Sequence, residues 1–277
     1  MSTSLLNLLI AYPYMSDAAI KAVGAYYHNT RFVLDSGAFT AWKAGKPIQL
    51  DDYCRFIERL PFKPWRYFTL DVIGDPEATL KNYETMLKRG FNPVPIFTRG
   101  EHPSVLDDYY KTSEVVGIGG LVGTPKNKAF VNGIMQHVGK RKVHWLGFTS
   151  HPYLLRYKPY MCDSSSWESG ARYGSLRLYL GSGKFVAVKR TELNQPPKIN
   201  VQRAISNLGF NWLNLRYDAS WRGGASLARL ICAASAVAYS ADVEKNLGTY
   251  LFNACAAIDA IEQLIDAHKL FLVRKGK

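Results

Sequence analysis

Three carboxylates close apolar runs in this sequence: Asp35 after Phe32-Val33-Leu34, Asp71 after Phe68-Thr69-Leu70, and Asp163 after Tyr160-Met161-Cys162. An acid at the end of a strand either caps the next helix or serves a site, and capping is as good a reading for any one of them alone. Glycine-bearing turns lie beside two of the three. Together they offer what sugar–heteroatom bond cleavage needs. One carboxyl moves a proton, and another stabilises or traps a cation-like carbon. A carbohydrate-cleaving enzyme would use a similar pair.

The elements that must position these acids alternate in type. Leu5–Tyr12, Arg31–Asp35, Tyr67–Val72, Pro93–Thr98, Val115–Ile118, Val143–Phe148 and Tyr160–Cys162 read as strands. Helical stretches separate them: Asp17–Tyr27 behind the N-cap Ser16, Leu50–Leu60, Pro76–Arg89 ended by Gly90, Pro103–Thr112, and Pro125–Val138. Alternation of this kind builds parallel βαβ units. No G-x-G-x-x-G follows the first strand, which argues against a dinucleotide-binding sheet. The expected fold is therefore α/β, a TIM-like (β/α)8 barrel of one domain over 1–277, with acids on the rim where strands end.

After Gly174 the pattern changes. Leu176–Leu180 and Lys184–Lys189 flank Gly181-Ser182-Gly183 as a hairpin. Ile199–Leu208, Ala225–Ser240 and Asn246–His268 read as helices, and Lys269–Lys277 as a frayed tail. Residues 176–277 would complete or decorate the barrel, with Phe185–Val188 one choice for its eighth strand.

The 277 residues carry 35 Lys and Arg against 22 Asp and Glu, a net charge of +13. Such an excess is the footprint of a polyanion binder. Cys54, Cys162, Cys232 and Cys255 are too scattered for a zinc knuckle or a disulfide framework, which points to a reducing cytoplasm. The seven-residue spacing of His137, His144 and His151 falls on different elements and carries no motif. No apolar stretch is long enough for a membrane span, and the first ten residues lack a signal-peptide pattern.

Five segments in order resemble the tRNA-guanine transglycosylases. Leu34-Asp35-Ser36-Gly37-Ala38-Phe39 is similar to their Asp-Ser-Gly-Gly-aromatic motif, and Phe68-Thr69-Leu70-Asp71 to the strand ending in a substrate-reading Asp. Ile118-Gly119-Gly120-Leu121-Val122-Gly123 resembles their Gly-Gly-Leu-x-Val-Gly segment. Val143-His144-Trp145-Leu146-Gly147 resembles the next strand, and Asp163 falls where the family has its nucleophile. The likeness spans residues 30 to 175. It implies a base exchange at an N-glycosidic carbon, with Asp163 as nucleophile and Asp35 as general acid/base. Asp71 would read the N–H edge of the base and Gly119-Gly120 its carbonyl, with Leu121 in the same segment and Ser36 adding a hydrogen bond. Phe39 and Leu146 would sandwich the ring. No metal or redox cofactor is needed on this route.

Departures redirect the polymer. The family's zinc site is missing, Arg99 stands where a base-reading Gln is common, and Ser164-Ser165-Ser166-Trp167 replaces the family's Pro-Thr-Arg. These features resemble the DNA transglycosylases of phages and bacterial modification systems, which install a 7-deazaguanine in place of guanine. The expected partners are guanine-containing DNA and a free 7-deazaguanine base, with transfer RNA the alternative and a non-catalytic nucleic-acid-binding barrel the third reading. Phosphate contacts would come from Arg156, Lys158, Arg172, Lys189, Arg190 and Arg222. Trp167, Tyr173 or Trp221 would stack on displaced bases. Lys140-Arg141-Lys142 precedes a strand and should lie on the opposite face.

Overall fold

The computed structural model describes residues 4–121 and 128–276. In chain order the elements are β1 Leu6–Ala11, α1 Asp17–Ala25, β2 Thr30–Asp35, α2 Ala38–Lys43, α3 Leu50–Arg59 and β3 Arg66–Tyr67. There follow α4 Pro76–Lys88, β4 Ile96–Phe97, α5 Ser104–Tyr109, β5 Val115–Ile118, α6 Lys128–Val138, β6 Lys142–Trp145, α7 His151–Tyr157, β7 Met161–Ser164 and α8 Ser166–Arg172. The last third holds β8 Ser175–Gly181, β9 Lys184–Lys189, α9 Ile199–Asn207, α10 Leu227–Leu247, β10 Tyr250–Cys255 and α11 Ile258–Arg274.

Eight parallel strands line up in the order β3-β2-β1-β10-β7-β6-β5-β4. The two edges meet. Val94 N–H donates to Tyr67 O at 2.8 Å, and Thr69 N–H donates to Val94 O at 3.0 Å. The sheet thus curls into a TIM-like (β/α)8 barrel. Alternation along each strand sorts the side chains. Leu9, Val33, Phe68, Met161 and Phe252 fill the interior, while Leu8, Phe32, Leu34, Val143, Trp145 and Cys162 pack outward under the helices. The same parity aims Asp35, His144 and Asp163 inward.

One element departs from the sequence reading. Residues 246 to 268 are not one helix. Gly248, in the left-handed region at φ 70°, ends α10, and β10 then runs up the barrel between β1 and β7. Its run Tyr250-Leu251-Phe252 is too apolar to betray a two-residue period, so long helices on either side masked it. The eighth strand is β10, not Phe185–Val188, which instead pairs antiparallel with β8 as the expected hairpin. The C-terminal tail is helical through Arg274. Three short helices, α2, α7 and α8, carry no sequence periodicity long enough to read.

The floor of the barrel, at the strand N-termini, is closed by a charge held among aromatic rings. Arg31 lies 3.9 Å from the Tyr250 ring centroid and 5.3 Å from that of Trp65. It donates to Asn7 Oδ1 at 2.6 Å and pairs with Glu244 at 3.2 Å. Removing this guanidinium would leave the part-buried Glu244 carboxylate with the Asn7 amide but without its counter-charge. Arg31→Met is expected to lower the unfolding free energy by about 2–3 kcal/mol, given that stranded charge and the lost cation–π contacts. Urea denaturation measures it, and a change within about 0.5 kcal/mol, typical of an ordinary surface site, would count against the floor as a stabilising plug.

Candidate active site

Asp163 ends β7 with its side chain in the barrel mouth and 13% exposed. Gly147 N–H donates to Oδ1 at 2.9 Å, and His144 Nε2 lies 2.9 Å from the same oxygen. In its Nε2-protonated tautomer His144 donates to that oxygen. Among the described residues Oδ2 has no hydrogen-bond partner, which leaves one tethered and one free oxygen. His144 is fully buried, its ring 4.8 Å from that of Phe68, and among the described residues its Nδ1 finds no partner. The spacing of the histidines in the sequence gives no sign of this role for His144. The usable signal was the parity of β6, which turns His144 toward the interior between outward Val143 and Trp145.

Asp35 is the second carboxyl. It ends β2, and Gly37 N–H donates to its Oδ2 at 2.9 Å. Burial, then the charge of Asp71 and more weakly that of Asp163, push its pKa up to about 7, against the opposing backbone hydrogen bonds. The mutual repulsion is itself evidence that the three acids share one rim. Gly37 makes the turn possible. Its φ is 77°, and a Cβ there would sit 2.2 Å from the Pro13 ring.

Asp71 follows β3, where burial raises its pKa. Ser36, fully buried, donates its hydroxyl to Asp71 Oδ1 at 2.8 Å, so it serves Asp71 rather than neighbouring Asp35. A cleft of about 420 Å3, lined in part by Ala38, Trp42, Gln49, Asp71 and Asn82, opens beside it. Below the acids, buried Tyr53 donates to Phe68 O at 2.9 Å. Burial first, and then the charge of Asp35, hold its phenol well above the ordinary range. Tyr53 too escaped the sequence reading, being one of several aromatics on an amphipathic helix.

The base-binding candidates divide. Leu146 sits at the top of the interior, within reach of Gly117, and Phe39 stands exposed on α2, stacked on Trp42 at 6.0 Å. Gly119 N–H is engaged by Phe97 O at 2.8 Å, so that amide is not available to a base carbonyl. Gly120, at φ 69°, has no room for a side chain, since a Cβ would lie 2.6 Å from Arg99 Cβ. Arg99 is exposed, with its guanidinium 5.1 Å from the Phe130 ring centroid. Leu121 must be reassigned: it is 1% exposed and packs beneath the helices with Phe97 and Trp145. Val122 and Gly123 lie outside the described residues.

The polyanion candidates divide as well. Arg156 and Lys158 belong to the last turn of α7 and its C-cap, just before β7 begins. Helices of a parallel barrel return the chain to the floor, so both side with Lys140–Lys142, away from the mouth. Trp167 is 4% exposed and donates to Ala254 O at 3.0 Å, which removes it from base stacking. Trp221 is partly buried and donates to Leu215 O at 2.7 Å. Lys189, Arg190, Arg222 and Tyr173 remain exposed on the segment after α8, with Arg190 and Arg222 both paired to Asp218. The Arg172 side chain lies outside the described residues.

Comparison with protein-family models, curated proteins and solved structures returned no match. Among the described residues no cluster of three or more His, Cys, Asp or Glu is arranged to hold a metal ion, and no helix is long and apolar enough to cross a membrane. All four cysteines are free and buried, and burial raises their thiols above the ordinary range.

Asp35 has a consequence for stability. Its folded pKa of about 7 lies above the ordinary 3.8, so the folded state binds the proton more tightly. The cost of losing that proton is absent at acid pH, grows above about pH 4, and is complete above pH 7. Asp35→Asn is therefore expected to be more stable than the wild type at pH 8, by at most about 4 kcal/mol, with water in the mouth trimming the figure. The gain should vanish toward pH 4, and thermal melting across that range measures it. A gain independent of pH would contradict the assignment.

Proposed function

We propose that the protein is a DNA-guanine transglycosylase that exchanges guanine for a 7-deazaguanine base. What supports this reading is one arrangement at the barrel mouth: a carboxylate held by one oxygen with the other free, beside a second carboxyl whose proton affinity lies near neutrality. A nucleophile needs a fixed position and an unshared lone pair. A general acid/base needs a pKa close to working pH. Asp163 and Asp35 divide these properties between them.

In the first step Asp163 Oδ2 bonds to the sugar's anomeric carbon and the N-glycosidic bond breaks. The electron pair leaves with guanine, and Asp35 supplies the proton to the departing nitrogen. In the second, the incoming base attacks the same carbon, its proton returns to Asp35, and the aspartyl ester opens. Two inversions retain the configuration. Asp71 accepts from the N–H groups of the base edge and, of the glycine pair, Gly120 is left to offer a backbone donor to the carbonyl. Flipping guanine out of a duplex costs a few kcal/mol, so single-stranded or locally opened DNA is the better substrate.

The deciding assay offers guanine-containing DNA and unmodified transfer RNA side by side with 7-cyano-7-deazaguanine and related bases. Incorporation into DNA is expected, with Asp163→Ala reducing it by about 1,000-fold or more. Asp35→Asn should cost about 100- to 10,000-fold and remove an inflection near pH 7 from the rate profile. Incorporation into transfer RNA alone would keep the chemistry and move the substrate. No exchange into either would favour a nucleic-acid-binding barrel.

A further inference from the structure

The hairpin β8–β9 has no part in the chemistry above, yet it is firmly docked. Tyr179 N–H donates to Ser235 Oγ of α10 at 2.5 Å, Tyr179 Oη bonds Asp242, and the tip at Gly183 packs directly on the His151 ring. Its inner face delivers Arg177 to a small cavity on the outer side of β7 and β10. Thr149, Ser164, Ser166, Phe185 and Asn253 line that cavity with it. Ser164 is the residue after Asp163, so the cavity lies across the strand end from the candidate nucleophile.

Arg177 is half-buried there without a counter-charge. Among the described residues its guanidinium bonds only the Ser166 hydroxyl, and no carboxylate reaches it. Its Cζ lies 4.3 Å from the Phe185 ring centroid, and Phe185 is braced in turn by Tyr179 and Tyr239. Burial lowers its affinity for the proton, as expected for a cation with no anion beside it. A part-desolvated guanidinium fixed over a ring, with hydroxyls converging on one side, is a receptor for a tetrahedral oxyanion. Other arginines of the region have acids: Arg190 and Arg222 share Asp218, and Arg229 lies between Glu168 and Asp259.

We propose that Arg177, with Ser164 and Ser166, forms a phosphate-binding subsite, and that its ligand is the backbone phosphodiester next to the nucleotide whose sugar faces Asp163. The phosphate would satisfy the guanidinium and fix the register of the strand, while the base is read on the inner side of the barrel. Naming a nucleic-acid strand as the ligand rests on the function proposed above. The oxyanion site itself does not.

The test has two arms. Thermal melting and Trp fluorescence are followed while inorganic phosphate replaces chloride at matched ionic strength. Phosphate is expected to raise the wild-type melting temperature, and Arg177→Met to lose that increment while keeping its own fold in chloride. An equal increment in Arg177→Met, or none in the wild type, overturns the site. Should Arg177→Met fail to fold, Ser166→Ala and Arg177→Lys carry the test, each expected to weaken phosphate binding several-fold, and unchanged binding in both overturns it. In the second arm, a short guanine-containing single strand is compared with one bearing an uncharged methylphosphonate at the linkage flanking the guanine. Wild type is expected to favour the charged strand by about tenfold and Arg177→Met to lose the preference. Equal binding by wild type overturns the assignment to a nucleic-acid backbone. The exchange assay separates the two proposals: a phosphate increment without base exchange sustains the subsite and sinks the activity, and exchange without the increment does the reverse.

Discussion

The mouth of this barrel is organised around a single oxygen. Asp163 Oδ1 accepts from the Gly147 amide and from His144, and so the carboxylate cannot rotate freely. Everything nearby follows from keeping those two donors in place. Gly147 lies two residues past β6, after Trp145, which packs in the helix layer, and Leu146, which packs on the barrel interior. His144 is wedged against Phe68, the residue through which the two edges of the sheet meet at Val94. Closure of the barrel and orientation of the Asp163 carboxylate are therefore one constraint. A slip of one residue in β6 would turn His144 out of the interior and bring Trp145 into it.

That coupling also explains what the sequence made legible. The βαβ rhythm of the first 160 residues rests on amphipathic helices with explicit caps, such as Ser16 accepting from Ala19 N–H and Asp75 from Ala78 N–H. Such signals are local and can be read from one chain. The acids at strand ends were legible for the same reason. β10 was not, because a strand buried on both faces loses its polar alternation and borrows the apolar character of the helices around it. Leu121 and Trp167 were misjudged by a related blindness. A turn of the backbone at Gly120 and the start of α8 send these side chains into the packing beneath the helices.

Charge was legible only as a sum. A net +13 says that a polyanion is a plausible partner, but it does not say where the positive residues stand. The barrel's direction decides that. Cations just before a strand lie on the floor, so Arg156 and Lys158 join Lys140–Lys142 there, and Arg31 is absorbed into the plug among Trp65 and Tyr250. Arg99 and Lys46 stand at the mouth after strands β4 and β2, and further cations come from the segment between α8 and α10, which the βαβ pattern does not require. A barrel could be completed by passing from β7 through one helix to β10. The inserted hairpin and turns instead supply Arg177, Lys189 and Arg190.

Placing three carboxylates on one rim works against folding, since each raises the cost of ionising the next. The arrangement answers this unequally. Asp163 is held by two donors and Asp71 by the Ser36 hydroxyl, whereas Asp35 receives only backbone help and is the one whose proton affinity climbs to about 7. The three acids are thus supported by different kinds of donor. A site that needed three equivalent anions would distribute donors evenly. Asp35, held by backbone donors alone, is the acid whose proton affinity stands near neutrality. The proton transfer proposed beside Asp163 draws on this difference among the donors.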